Sequence, residues 1–183
     1  LTWNKCPGSM LLSGGILRSY VKGGEQNLMA AQKDIAKYKQ KLISAFLANP
    51  EIIEALHAVE ITNPDDLVYT HIFPYLRNPN IQDESHCFIT MSVEVPQVST
   101  KNYFFKDMLL IINIVCYQEI MKTDYGSTRI DYLSGLIDEE LNGRKDFGNI
   151  ALELVSNVEG ASSNGFCFRT MRFRSSETNR PSC

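Results

Sequence analysis

Between residues 30 and 48 apolar side chains return with a helical rhythm. Ile35, Tyr38, Leu42, Ile43, Phe46 and Leu47 recur, and Lys33, Lys37, Lys39 and Lys41 fall mostly on the other side. This spacing predicts an amphipathic helix. Asn49-Pro50 ends it, because the residue before a proline avoids helical geometry. Pro50 then suits the first turn of a second, short helix over 51–57. Asn63-Pro64-Asp65-Asp66 marks a further turn or helix start. Pro74 and Pro79 make the stretch from 67 onward extended and irregular, and a polar loop follows over 77–85.

Residues 87–95, Cys-Phe-Ile-Thr-Met-Ser-Val-Glu-Val, are rich in β-branched and aromatic side chains and stop at Pro96. They predict a strand. A longer strand is expected over 103–119. Its centre, 109–116, is apolar on both faces apart from Asn113, which predicts a central strand covered on both sides. Residues 128–142 place Ile130, Leu133, Ile137 and Leu141 on one helical stripe, with Asp131, Asp138 and Glu139 outward. Ser127 or Thr128 can cap this helix, and Asn142-Gly143 closes it. Two strands, 150–158 and 166–174, are joined by a loose loop over 159–165, and a polar tail follows over 175–183. The order is ααββαββ: an α+β domain with an antiparallel sheet and a helix packed on one face. The expected core is Leu109, Ile111, Ile112 and Val115, covered by the stripe of the 128–142 helix.

Residues 1–28 differ in character. They hold Gly8, Gly14, Gly15, Gly23, Gly24 and the only tryptophan, Trp3, with no clear periodicity. The short apolar patch at 10–17 is too brief and glycine-rich for a secretory signal. Lys22-Gly23-Gly24-Glu25 can be encoded by the purine-rich sequence that bacterial ribosomes bind, and Met29 follows closely. The expectation is that Met29 is the natural start and 1–28 a translated leader, with a flexible arm as the alternative. Residues 29–174 then form a single domain.

Composition adds exclusions. The chain has 183 residues, 44% hydrophobic, enough for a real core. A net charge of −3 and a pI near 5.6 do not suit a nucleic-acid binder, which is usually basic over a whole face. No apolar run approaches the length a bilayer span needs. Cys6, Cys87, Cys116, Cys167 and Cys183 are scattered, with no CxxC pair. They read as reduced thiols in a cytosolic protein, with Cys87, Cys116 and Cys167 acting as small buried hydrophobes.

Little in the chain suggests catalysis. His57, His71 and His86 lack metal-ligand spacing, and the glycine pairs lack the strand and the motif of a phosphate loop. Asp131, Asp138, Glu139 and Glu140 read as a solvated helix face, and Ser162-Ser163 has no nucleophile elbow. The expectation is a non-enzyme with no catalytic, cofactor-binding or metal site. Arg169, Arg172 and Arg174 in the last strand, with Arg180 beyond it and Arg77 opening the polar loop, are candidates for a protein interface. Arginine's planar fork pairs well with carboxylates there. The bland alternative for the strand arginines is protection of a sheet edge.

The leading helix, Ile72-Phe73-Pro74 before a loop, the strands 87–95 and 109–117, the helix 128–142 and the closing hairpin with Arg172-Phe173-Arg174 together resemble the tail terminator, or tail-completion, proteins of tailed bacteriophages. The likeness covers most of 29–174 and is one of segment order and character. A two-helix N-terminus departs from the single helix of many such proteins. The resemblance implies a virion subunit, assembled in the bacterial cytoplasm, that forms a homo-hexameric ring at the head-proximal end of the tail. Its partners would be further copies of itself, the tail tube protein and a head-side connector or stopper, with no membrane and no specific nucleic acid. Another neck or head-completion protein is the nearest alternative; an enzyme whose site forms only by tertiary proximity is the more distant one.

Overall fold

The computed structural model describes residues 34–56, 61, 63–80, 87–96, 104–124 and 126–178. The expected leader or arm, Met29, His57, His86, Cys6, Cys183, Arg180 and the last residues of the polar tail lie outside the described residues.

Helix α1 covers 34–48 and buries Tyr38, Leu42 and Phe46 of the stripe that the periodicity picked out, together with Ala45, while Ile35, Ile43 and Leu47 are half-buried against the same core. Helix α2, Pro50–Ala55, starts on proline, and the Asn49 side chain accepts hydrogen bonds from the Glu51 and Ile52 amides. These amides have no partner inside the helix, which is why Asn is favoured there. Asn63 caps a 3-10 turn over Pro64–Leu67 in the same way. Helix α3, Arg129–Leu141, is capped by Thr128 and is followed by Gly143 at φ +83°, the left-handed geometry that closes a helix.

The strands are β1 (Ile72–Phe73), β2 (Phe88–Glu94), β3 (Phe105–Tyr117), β4 (Glu153–Ala161) and β5 (Phe166–Thr178). They form one sheet in the order β1-β2-β3-β5-β4. The α+β class stands as the sequence indicates, with β3 central. The sheet is antiparallel except at its two-residue edge, where β1 runs parallel to β2. β4 runs on to Ala161, so the expected loose loop shrinks to a turn, closed by the Ser162 amide donating to the Phe166 carbonyl at 2.8 Å. β5 continues through Ser175–Thr178, the first residues of the expected polar tail, and Ser175 is buried.

Helices α1, α2 and α3 contribute to one core on one face of the sheet. Met108, Leu110, Ile112 and Ile114 of β3, Ile89, Met91 and Val93 of β2, and Met171 and Phe173 of β5 meet Ile130, Leu133, Ile137 and Leu141 of α3. Leu42 and Phe46 of α1 and Ile52 of α2 join the same cluster. Buried Lys106 on β3 reaches Asp34 on α1 at 2.6 Å, and the Tyr38 hydroxyl donates to Glu177 of β5. Burial, and then the bond to Glu177 and its charge, push the Tyr38 phenol well above its usual range.

Two expectations are corrected here. β3 is covered on both sides only at its Val115 end. Leu109 and Ile111 are only half-buried and point away from the helices, and Val115 belongs to a separate small cluster with Phe73, Phe88 and Phe166. A continuous apolar run does not say whether the second face meets the protein's own core. The thiols are not all free either. Cys87 and Cys116 are bonded, with their Cα atoms 4.4 Å apart, while Cys167 is a free thiol. Cys87 lies one step beyond the Phe88–Val115 pair, so antiparallel pairing sets it opposite Cys116 although the two are far apart in sequence. The cytosolic reading rested on reduced thiols and loses that support.

Arg129, at the start of α3, is buried. It donates from Nε to the Ile120 carbonyl at 2.8 Å and from Nη1 to the Ala55 carbonyl at 3.1 Å. Ala55 ends α2, where carbonyls lack donors within the helix. Arg129→Met keeps the stem and removes the donors. It is expected to cost about 1 to 3 kcal/mol, the penalty for a buried acceptor left unpaired. A lower urea midpoint with faster amide exchange in α2 would show this; an unchanged midpoint would contradict it.

Candidate functional site

The face of the sheet turned away from the helices holds the features that core packing does not explain. Because neighbours along a strand point to opposite faces, the register assembles this open face in rows. From β2 through β3 and β5 to β4, one row reads Phe88, Val115, Phe168, Gly160, and the next Thr90, Asn113, Thr170, Val158. Then come Ser92, Ile111, Arg172, Ser156, and finally Glu94, Leu109, Arg174, Glu153.

The first row is aromatic. The Phe88 and Phe73 rings meet edge to face, Phe73 does the same with Tyr75, and Tyr75 lies near Tyr69. Tyr69, Tyr75 and Leu76 are exposed. Tyr69 also takes φ +69°, an uncommon conformation for a bulky residue, and its amide donates to the Ile72 carbonyl at 2.9 Å. The Arg77 guanidinium stands 4.5 Å from the centre of Phe73 and 5.3 Å from that of Phe88, a cation held over π faces. Beside it lies a hollow of about 340 Å³, walled by Leu76 to Pro79 and floored by Val115, Phe166 and Phe168. Phe168 lies across Gly160, where any β-carbon would come within 2.4 Å of its ring. A glycine inside a strand often marks such a close approach.

The second row is polar. Asn113 donates to Thr90 at 3.3 Å and accepts from Thr170 at 2.7 Å. That satisfied ladder explains the one polar residue in the apolar run of β3. The third and fourth rows set Ile111 and Leu109 next to charge. Arg172 reaches Ser156 at 3.5 Å, and Arg174 pairs with Glu153 at 3.0 Å. Leu109 and Ile111 are thus half-buried aliphatic side chains among arginines and carboxylates, unlike the fully buried Leu110 and Ile112 on the helix side.

The candidate arginines therefore divide. Arg77, Arg172 and Arg174 belong to the open face. Arg169 is turned to the helix face, where it bonds to Asp131 of α3, to Glu159 at 3.3 Å and to Asn157 at 3.2 Å. The three strand arginines do not form one surface, because 169 differs in parity from 172 and 174. Nor does β5 form an edge, since it lies between β3 and β4, and edge protection does not account for its arginines. Among the described residues the outer edge of β4 has no strand partner. Thr90, Asn113, Thr170, Phe168 and Gly160 escaped the sequence reading. Their signals were Asn113 interrupting an apolar run and the Phe166–Phe168 alternation.

Among the described residues no three His, Cys, Asp or Glu side chains gather where they could hold a metal ion, and no helix is long and apolar enough to cross a membrane. What fold and face define is an α+β protein whose three described helices pack on one face of the sheet and whose other face is only partly buried. The chain belongs to the YomW family, whose model matches residues 34–175. That family is phage-like, and membership points to a phage-associated protein. Comparison with the curated proteins gives no match.

Proposed function

We propose that this protein is a structural subunit of a phage particle, resembling a tail terminator. It would form a hexameric ring that caps the tail tube and joins it to the head connector, and it would carry out no catalysis. The observation that carries the reading is the sheet face away from the helices: beyond its buried Phe88–Val115–Phe166 end, a phage-related chain leaves apolar Leu109 and Ile111 half-buried beside Arg174 and Arg172. A closed ring of identical subunits uses heterologous contacts, in which one surface meets a different surface of the next copy. The open face and the outer edge of β4 are two such surfaces on one subunit. The assembly site would be the host cytoplasm, with the finished ring in the neck of the virion.

Arg172 is the residue to test. It is part of the open face, sits opposite Ile111 in the register and takes no part in the helix-side core. Arg172→Glu is expected to weaken incorporation into tails by about 2 kcal/mol or more, since reversing a charge at a complementary contact creates repulsion. The free variant should keep its circular dichroism spectrum and its melting curve. Full incorporation of a folded Arg172→Glu protein would sink the assignment of the face.

A further inference from the structure

Three of the five cysteines stand in one row across the sheet. Cys87 is bonded to Cys116, and Cys116 is opposite Cys167 in the β3–β5 register. Directly opposed residues of an antiparallel pair project to the same face. Cys167 packs against the core cluster that contains both Cys87 and Cys116. The Gln118 amide donates to the Gly165 carbonyl at 3.0 Å, and hydrogen-bonded pairs recur at every second residue. Cys116 and Cys167 are therefore a hydrogen-bonded pair, whose Cα atoms stand about 5.5 Å apart, a common spacing for disulfides. Cys167 itself is a free, half-buried thiol.

β3 lies between β2 and β5, so Cys167 meets Cys116 from the side opposite Cys87. A thiolate attacking a disulfide needs that approach, in line with the bond it breaks. We propose that Cys116 is a shared partner and that its disulfide migrates between Cys87 and Cys167. The Cys167 thiolate attacks Sγ of Cys116 and forms a new bond as the bond to Cys87 breaks. Cys87 leaves as a thiolate and takes up the proton that Cys167 gave away. Nothing is oxidised or reduced overall, and one disulfide and one thiol stand on each side of the exchange. The bridge position decides whether β2 or β5 is locked to the central strand. It also moves the free thiol from the β5 end of the row to Cys87, whose amide donates to the Leu56 carbonyl at the end of α2.

The test uses the full chain with Cys6→Ser and Cys183→Ser, so that other thiols stay out of the exchange. The protein is held at about pH 8, where an ordinary thiol is partly ionised. It is then quenched in acid, alkylated and digested without reduction. Mass spectrometry is expected to find two bridged species: Cys87–Cys116 with alkylated Cys167, and Cys116–Cys167 with alkylated Cys87. Adding Cys87→Ser and oxidised glutathione should shift the bridge wholly to Cys116–Cys167. The parent protein decides alone if that variant does not fold. Absence of the Cys116–Cys167 bridge from the parent, or from a folded Cys87→Ser protein, overturns the proposal.

Discussion

Ile112→Ala is expected to destabilise the free protein by about 2 to 5 kcal/mol, while Ile111→Ala costs no more than about 1 kcal/mol. These two residues adjoin on β3, are the same amino acid, and differ only in face. Ile112 is fully buried between Met91 and Met171 in the register and lies in the cluster that α3 covers. Truncating it removes buried methyl groups and leaves a cavity that the packed neighbours fill only in part. Ile111 is half-buried on the open face, between Ser92 and Arg172, with solvent on one side. Its truncation gives up less transfer free energy and encloses no void. In a chain of this size each kcal/mol moves the melting temperature by roughly 2 to 4 °C. Calorimetry of the two variants should therefore separate them by several degrees. Equal losses would mean that the open face is covered in the free protein. Leu133→Ala on α3 should behave like Ile112→Ala.

The largest effect on assembly is expected from Ile111→Asp. A carboxylate at that position is tolerated in the free subunit, where it stays wet beside Arg172. In a contact it would be buried against the next subunit or the tail tube and would lose its water. Burying a polar group without a full set of partners costs several kcal/mol. A loss of about 3 kcal/mol corresponds to roughly a hundredfold weaker association. Tails grown with the Ile111→Asp protein should thus lack it, while its melting curve stays close to that of the parent. Normal incorporation of the variant would remove the open face from the account.

Much of this was written in the local pattern. Asn49-Pro50, Thr128 and Asn142-Gly143 mark helix ends through short-range chemistry, and the structure uses each of them as a cap or stop. The stripe Ile130, Leu133, Ile137, Leu141 covers the sheet as its spacing predicts. What the sequence hides is long-range. The Cys87–Cys116 bond and the Thr90–Asn113–Thr170 ladder exist only once the strands are in register. Strand parity alone would have separated Arg169 from Arg172 and Arg174. Leu109 and Ile111 are as apolar as their buried neighbours, so hydrophobicity could not tell a core face from an exposed one. In β4 a bulge at Leu154/Ser156 shifts the alternation, and Ser156 faces the open side while Leu154 packs on the helix side. A strict period of two would put both on the same face.

Electron microscopy of assembled tails, with and without this protein, tests the central claim most directly. The account predicts a ring of six copies at the head-proximal end, each with its open sheet face and β4 edge against a neighbour or the tube. Without the protein, tubes should run past their proper length and fail to join heads. Tails that terminate and join heads normally in its absence would contradict the account, as would a ring whose open sheet faces lie in solvent.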